Sequence, residues 1–271
     1  MPELPEVETT IRGLKSIVGS KIINIKINTP KLRYFIPKSI LLINSVRITK
    51  IKRKGKFIIF YLQNKHSIVF HLGMSGRLRL YKKIEFKHKK HDHFLLKTNN
   101  GKILIFNDPR RFGSMHHVTE PSTHFLLEKL GPEPLSHEFN GEYLFQKIKK
   151  SLSPIKNALM DQKNVVGIGN IYANEILFDA RIRPTRKSKT LKTKEYYEIA
   201  ASTKKILKHA ISAGGTTLQD FYKPDGNKGY FKIDLDVYDR ANQKCRKCKE
   251  ELIKRIVQSQ RATFYCRKCQ V

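Results

Sequence analysis

Four cysteines, Cys245, Cys248, Cys266 and Cys269, are the only ones in a chain of 271 residues, and all lie in its last 27. They form two C-x-x-C pairs with 17 residues between them, a spacing that suits four thiolates around one tetrahedral Zn²⁺. Such a metal supplies folding energy to a segment too small for a core of its own. Two redox pairs or four free thiols are the alternatives, and structural disulfides are not expected in a reducing compartment. From Ala241 to Val271 there are nine Lys and Arg against two acids. The module therefore stays cationic even after a zinc tetrathiolate adds about −2, an excess that a purely structural staple does not need. QRATFYC places Arg261 shortly before the third cysteine, on a predicted short hairpin where a guanidinium can reach a phosphate. A solvated arginine is the plainer reading.

The same sign of charge runs through the whole chain. Lys and Arg number 54 against 23 Asp and Glu, with a sequence pI near 10.1, which favours a polyanionic partner, most simply nucleic acid. A Lys/Ile-rich coding bias accounts for part of the excess, and an anionic membrane is another polyanion. No apolar run approaches the ~20 residues of a transmembrane helix, and the acidic N-terminus lacks the apolar region of a signal peptide. An apolar content of 39% without low-complexity tracts indicates an ordinary folded protein, expected to be soluble and intracellular.

Val7, Ile11, Leu14 and Val18 recur at helical spacing, with Gly19 where a C-terminal cap belongs. Strand patterns follow in Ile23, Ile25 and Ile27, in ILLINSVRI, KFIIFYL and SIVFHLGM, and in HFLLKTNNGKILIF, a predicted hairpin turning at Asn99, Asn100 and Gly101. Residues 1–133 therefore read as a β-sandwich or barrel carrying one helix. GPEPLSHEFNG reads as a linker, assigned to 134–141. Beyond it YLFQKIKKSL, PIKNALMDQ, NIYANEILFDA and TKEYYEIAASTKKILKHAIS are helical, GGTTLQDFYKPDGNKGYF is a long loop, and the cysteines close the chain. The expected division is a β domain at 1–133, a helical domain at 142–244 and a finger at 245–271.

Three further segments place chemistry-bearing residues in turns or loops. VVGIGNIYANEILF sets Gly167 and Gly169 before a helix predicted to start near Asn170, a good N-cap residue. Backbone N–H groups there can hold an anion, although an ordinary tight turn fits equally well. HLGMSGRL and NDPRRFG offer Met74 as an apolar wedge, Arg110 and Arg111 as cations, and Phe112 as a stacking ring. Wedges between base steps kink DNA, and an extruded base leaves a gap to fill. Taken singly, Met74 and Phe112 are better explained as core residues capping strand ends. KKIEFKHKKHDH lacks a metal-binding histidine pattern and reads as a solvated loop open to phosphate.

The opening MPELPEVETT places Glu3, Glu6 and Glu8 on a chain of net charge +31. A small second residue permits removal of Met1, which would expose Pro2 as a secondary amine titrating near ~7.7–8.0. Attack by such an amine on a sugar anomeric carbon gives an iminium ion that has no N–H proton to lose, an electron sink like a lysine Schiff base. Glu3 beside it could carry protons. The alternative is a helix start, where acids and proline are favoured. It covers Glu6 and Glu8 well and Pro2 and Glu3 less well.

Together PELPEVET, KGKF, HLGMSG, DPRRFG, VVGIGNIYANE, GGTT with DGNKGYF, and QRATFYCRKCQ resemble the bacterial formamidopyrimidine-DNA glycosylase family nearly end to end. The resemblance implies an α+β, two-domain fold: an N-terminal β-sandwich with an N-terminal helix, then a helix-two-turns-helix domain bearing a four-cysteine zinc finger. It implies excision of oxidised purines from duplex DNA and cleavage at the abasic site by β,δ-elimination. Pro2 would be the nucleophile, Glu3 the proton carrier, Glu6 a supporting acid and Lys56 a phosphate contact near the lesion. Met74, Arg110 and Phe112 would fill the vacated position, with Arg111 beside them, and Arg110 would face the orphaned base. Asn170 and Arg261 would clamp phosphate, and Lys156 and the loop from Thr216 to Tyr230 would lie near the damaged base. One structural Zn²⁺ is the implied cofactor. A cytoplasmic, nucleoid-associated monomer without membrane contact is the implied setting.

The sequence departs from the family at Asp239 and Asn242, where glycines are common, and at Lys244, where proline is common. The 17-residue spacer is also about one longer than the family's. An oxidised-pyrimidine glycosylase of the endonuclease VIII-like type and a non-catalytic DNA-binding relative are the competing readings.

Overall fold

The computed structural model describes residues 2–82, 84, 86–215 and 234–271. Most of the loop that includes Thr216 to Tyr230 therefore lies outside the described residues. Among the described residues no helix is long and apolar enough to cross a membrane. Two compact units make up the chain: Met1–Glu128 with Ala213–Lys232, and Lys129–Ser212 with Ile233–Val271.

The first unit opens with helix α1 (Leu4–Gly13), followed by strands β1 (Lys21–Ile27), β2 (Val46–Lys54), β3 (Phe57–Leu62), β4 (Ser67–His71), β5 (Arg77–Lys82), β6 (Asp92–Thr98), β7 (Lys102–Asn107) and β8 (Ser114–Val118). The strand order is β5-β7-β6-β1-β2-β3-β4-β8. Strands β1 and β2 pair only through Lys21–Arg47 and Ile22–Val46, so the sheet bends there into two four-stranded halves. Their apolar faces meet: the ring of Phe70 on β4 lies 5.8 Å from Phe94 on β6 and 5.8 Å from Phe106 on β7. This is the expected sandwich, with Ile58, Phe60 and Leu62 of β3 in its core. The predicted alternation of Ile23, Ile25 and Ile27 does not hold: Ile22 and Ile25 are buried, Ile23 is 49% exposed, and the register shifts between Ile22 and Asn24. Helix α1 turns Val7 and Ile11 into the same core. It is tied to β2 by Arg53, whose Nε donates to Glu8 Oε2 at 3.0 Å. Glu8 therefore answers to a specific cation as well as to the helix dipole.

The second unit contains α2 (Gly141–Ile148), α3 (Ile155–Met160), α4 (Asn170–Asp179), α5 (Thr193–Ser212) and a hairpin of β9 (Lys254–Gln258) and β10 (Arg261–Tyr265). Every residue of α4 from Ile171 to Phe178 is buried, so this helix forms the centre of the unit. The segment expected to be a linker is packed instead. Phe139 is fully buried, Asn140 caps α2 by accepting the Tyr143 N–H at 2.9 Å, and a methyl group at Gly141 would overlap the Tyr197 ring. Just upstream, the Gly131 N–H donates to Gln162 O at 2.8 Å. The Pro, Gly and polar residues of this stretch serve turns pinned to the helical unit and do not form a free spacer.

Candidate functional site

Glu3 is the N-cap of α1, extended at φ −103°, with Pro5 in the first turn and Glu6 at the third helical position. Glu6 Oε2 accepts the Glu3 backbone N–H at 2.9 Å, and the Glu3 carboxylate turns back to the Glu6 N–H in a reciprocal capping box. Glu3 therefore lies where the helix requires it, so the helix-start reading covers it better than the sequence alone suggests. Both carboxylates are nevertheless almost fully buried, at 2% and 1% exposure. A surface cap would leave them wet. Pro2 is half-buried beside them. Gly215 closes over this corner at φ +86°, where a Cβ would sit 3.1 Å from Glu6 Oε1, so both backbone angle and space favour glycine.

Lys56 follows Gly55 in the β2–β3 turn and is buried. Its charge bears on His71 at the end of β4, whose pKa is lowered to about 4, first by burial and then by Lys56 and Arg33. The Gly73 N–H donates to His71 Nδ1 at 3.1 Å, which requires a neutral ring with its proton on Nε2. His71 was not among the residues singled out from the sequence. Its only signal there was its place at the end of an apolar strand, just before Leu72 and Gly73.

Met74 and Phe112 are not core residues: they are 41% and 45% exposed. Their loops meet at Gly73, where a Cβ would lie 2.4 Å from the backbone carbon of Phe112. The Arg110 guanidinium sits 4.8 Å from the Phe112 ring centroid, and the Arg110 N–H donates to Ser75 Oγ at 3.1 Å. Arg111 is exposed and holds a left-handed φ of +57° between them. An apolar wedge, an aromatic ring and two cations are thus presented together, a grouping suited to entering a duplex.

In the second unit the glycine turn does not offer bare N–H groups as expected. The Gly167 N–H is taken by Gln162 Oε1 at 2.8 Å, and Gln162 Nε2 donates to Ile168 O at 3.0 Å. The N-cap of α4 is Gly169, and Asn170 is its first helical residue. Asn170 Nδ2 instead donates to Ala262 O at 3.0 Å. Lys156, expected near a ligand base, is fully buried. Its Nζ donates to the same Ala262 O at 3.0 Å and to Thr263 Oγ1 at 2.6 Å. Lys156 thereby holds β10 next to the exposed Arg261, one residue before Ala262.

Two residues inside α4 add to this grip. Asn174 Oδ1 accepts the Phe264 N–H at 2.8 Å, and the Glu175 carboxylate accepts the N–H groups of Asp236, Val237 and Tyr238 at 2.8–3.0 Å. The clue in the sequence was two polar residues between the apolar stretches Ile171–Ala173 and Ile176–Phe178.

The four cysteine sulfurs lie within 4.8 Å of one another, with Cys245–Cys269 at 3.8 Å and Cys248–Cys266 at 3.7 Å, and none is in a disulfide. Sulfurs at about 2.3 Å from a tetrahedral ion stand about 3.8 Å apart, so the cluster fits a single metal ion. Cys245 and Cys266 share an apolar cluster with Phe178, Val237, Ile253 and Phe264. Gln270 locks the second cysteine pair to the helical part, accepting the Cys266 N–H at 3.0 Å and donating to Ile182 O at 2.9 Å. Asp239 and Asn242, which stand in place of glycines, adopt φ of +60° and +62°.

Comparison with known proteins agrees with this geometry. Residues 1–115 match the family model of the formamidopyrimidine-DNA glycosylase N-terminal domain, and residues 130–222 match that of its H2TH domain. A formamidopyrimidine-DNA glycosylase of Salmonella schwarzengrund is 45% identical over 271 residues, covering all of both chains. The MutM (Fpg) protein of Thermus thermophilus superposes with a TM-score of 0.89 at 35% identity, over 99% of this chain and 98% of that one. A Lactococcus lactis Fpg variant bound to Fapy-dG-containing DNA gives 0.90 at 34% identity, over 99% of each chain.

Proposed function

This chain belongs to the formamidopyrimidine-DNA glycosylase family, and we propose that it performs that family's chemistry with the amine of Pro2 and the carboxyl group of Glu3. It is a DNA-binding glycosylase of oxidised purines. With Met1 removed, the Pro2 nitrogen attacks C1′ of the damaged nucleotide while the glycosidic electron pair leaves with the base. The new ammonium passes its proton to the Glu3 carboxylate. Glu3 returns it to the ring oxygen as the C1′–O4′ bond opens, and the nitrogen lone pair closes the iminium. Loss of a C2′ proton then expels the 3′ phosphate, and a second elimination expels the 5′ phosphate.

The observation that carries this reading is the burial of Glu3 and Glu6 at the chain start. By accepting the Glu3 N–H, Glu6 fixes the peptide that follows Pro2 and so orients the nucleophile. Lys56 and Arg261 contact phosphate, and Asn170 supports Arg261 through Ala262. Zn²⁺ suits four thiolates and acts structurally, holding β9 and β10 in place.

The test is incubation with a duplex containing 8-oxoguanine opposite cytosine in the presence of borohydride, with removal of Met1 verified by mass spectrometry. A covalent protein–DNA adduct through Pro2 is expected. A correctly processed chain that forms none overturns the Pro2 chemistry.

A further inference from the structure

The side chains that would fill the vacated base position come from two loops: Met74 from β4–β5, and Arg110 and Phe112 from β7–β8. We propose that Asp108 is the positioning residue that locks these loops together, so that the three side chains enter the duplex as one preorganised unit. The proposal rests on the reading that Met74, Arg110 and Phe112 enter DNA.

Asp108 is fully buried. Its Oδ1 accepts the Ser75 hydroxyl at 2.5 Å and its Oδ2 accepts the Gly113 N–H at 2.7 Å. Ser75 follows Met74 and Gly113 follows Phe112, so a single carboxylate grips the residue next to each inserting side chain. Ser75 Oγ in turn accepts the Arg110 N–H at 3.1 Å, which brings the third into the same network. The acid is itself anchored: its carbonyl accepts the Arg111 N–H at 3.2 Å and lies 2.8 Å from His93 Nε2 on β6. The left-handed Arg111, a strained conformation for a side chain of that size, is held within this frame.

Hydrogen bonds to a buried ionised acceptor are stronger than neutral ones. Loops fixed before binding also avoid an ordering cost during base extrusion. Asp108 thus acts on the step that opens a duplex and not on the chemistry at C1′. A single strand with an existing abasic site has no orphaned base and no stacked gap, so it bypasses this contribution.

The test compares Asp108→Asn and Ser75→Ala with the parent chain, all zinc-loaded and free of Met1. Borohydride trapping is measured on an 8-oxoguanine duplex and on a single-stranded oligonucleotide carrying an abasic site. Loss of one bond to a buried charge corresponds to about tenfold or more, so the duplex rate of Asp108→Asn should fall by at least that factor. Ser75→Ala should fall less, and the single-strand rates should hold. A 2-aminopurine beside the lesion should brighten less in both variants as insertion weakens. A folded Asp108→Asn with an unchanged duplex-to-single-strand ratio overturns the proposal. If that variant does not fold, an unchanged ratio in Ser75→Ala does so alone. Failure of the underlying reading looks different: the parent chain never traps, or Met74→Ala leaves the ratio unchanged.

Discussion

Glu6 Oε2 lies 2.9 Å from the backbone nitrogen of Glu3, so one carboxylate both caps a helix and fixes the peptide next to the proposed nucleophile. The two roles separate under mutation. Glu6→Gln keeps an acceptor oxygen and should retain the cap, whereas Glu6→Ala should lose about 1 kcal/mol of stability. The trapping rate of Glu6→Ala should fall by more than that loss explains, because the Pro2 ring is no longer oriented. Denaturant unfolding and single-turnover trapping, measured together, check this.

Lys156 holds β10 through Ala262 O and Thr263 Oγ1. Lys156→Met removes the charged donor, leaving Ala262 O to Asn170 Nδ2 and Thr263 Oγ1 to Gln258 Oε1, at a cost of about 1–3 kcal/mol. Metal release to a chromophoric chelator should quicken and DNA affinity should weaken. The salt dependence of binding should stay near that of the parent, since Lys156 does not itself reach phosphate.

Asp239 holds a φ of +60° without being glycine. Such a conformation costs a side chain about 1–2 kcal/mol, partly offset by the freedom that glycine regains when unfolded. Asp239→Gly should therefore stabilise the metal-loaded chain by about 0.5–1 kcal/mol, read as a raised melting temperature with trapping unchanged.

The pKa values of His71 and His116 are both lowered from the ordinary 6.5 to about 4, with burial the leading cause for each. Between those values the unfolded chain binds protons that the folded chain refuses. The contribution of these two histidines is therefore full above about 6.5, falls as the pH drops towards 4, and levels off below it. His116→Gln should reduce that slope by about 1.4 kcal/mol per pH unit in urea unfolding measured across the window.

Cys266 is buried within the sulfur cluster. Cys266→Ser should lower the zinc content and weaken DNA binding together, by metal analysis and fluorescence anisotropy. Unchanged zinc content and affinity would show that the cluster does not hold the hairpin.

The cysteine spacing, the helix periods of α1 and α5 and the apolar run of β3 were legible in the sequence because each is a local pattern. The functional consequences of Asp108 and Lys156 were not. Asp108 meets Ser75 across 33 positions, and Lys156 meets Ala262 across 106. No periodicity marks such partners, since they arise only when loops from different strands or helices converge. Only the tertiary structure shows that Lys156 is buried against Ala262 and Thr263, and that Met74 and Phe112 stand exposed, as the resemblance implied and their apolar character taken singly did not. A buried charge takes whatever acceptor the fold brings near, and an apolar side chain stays exposed where no opposing face arrives to cover it.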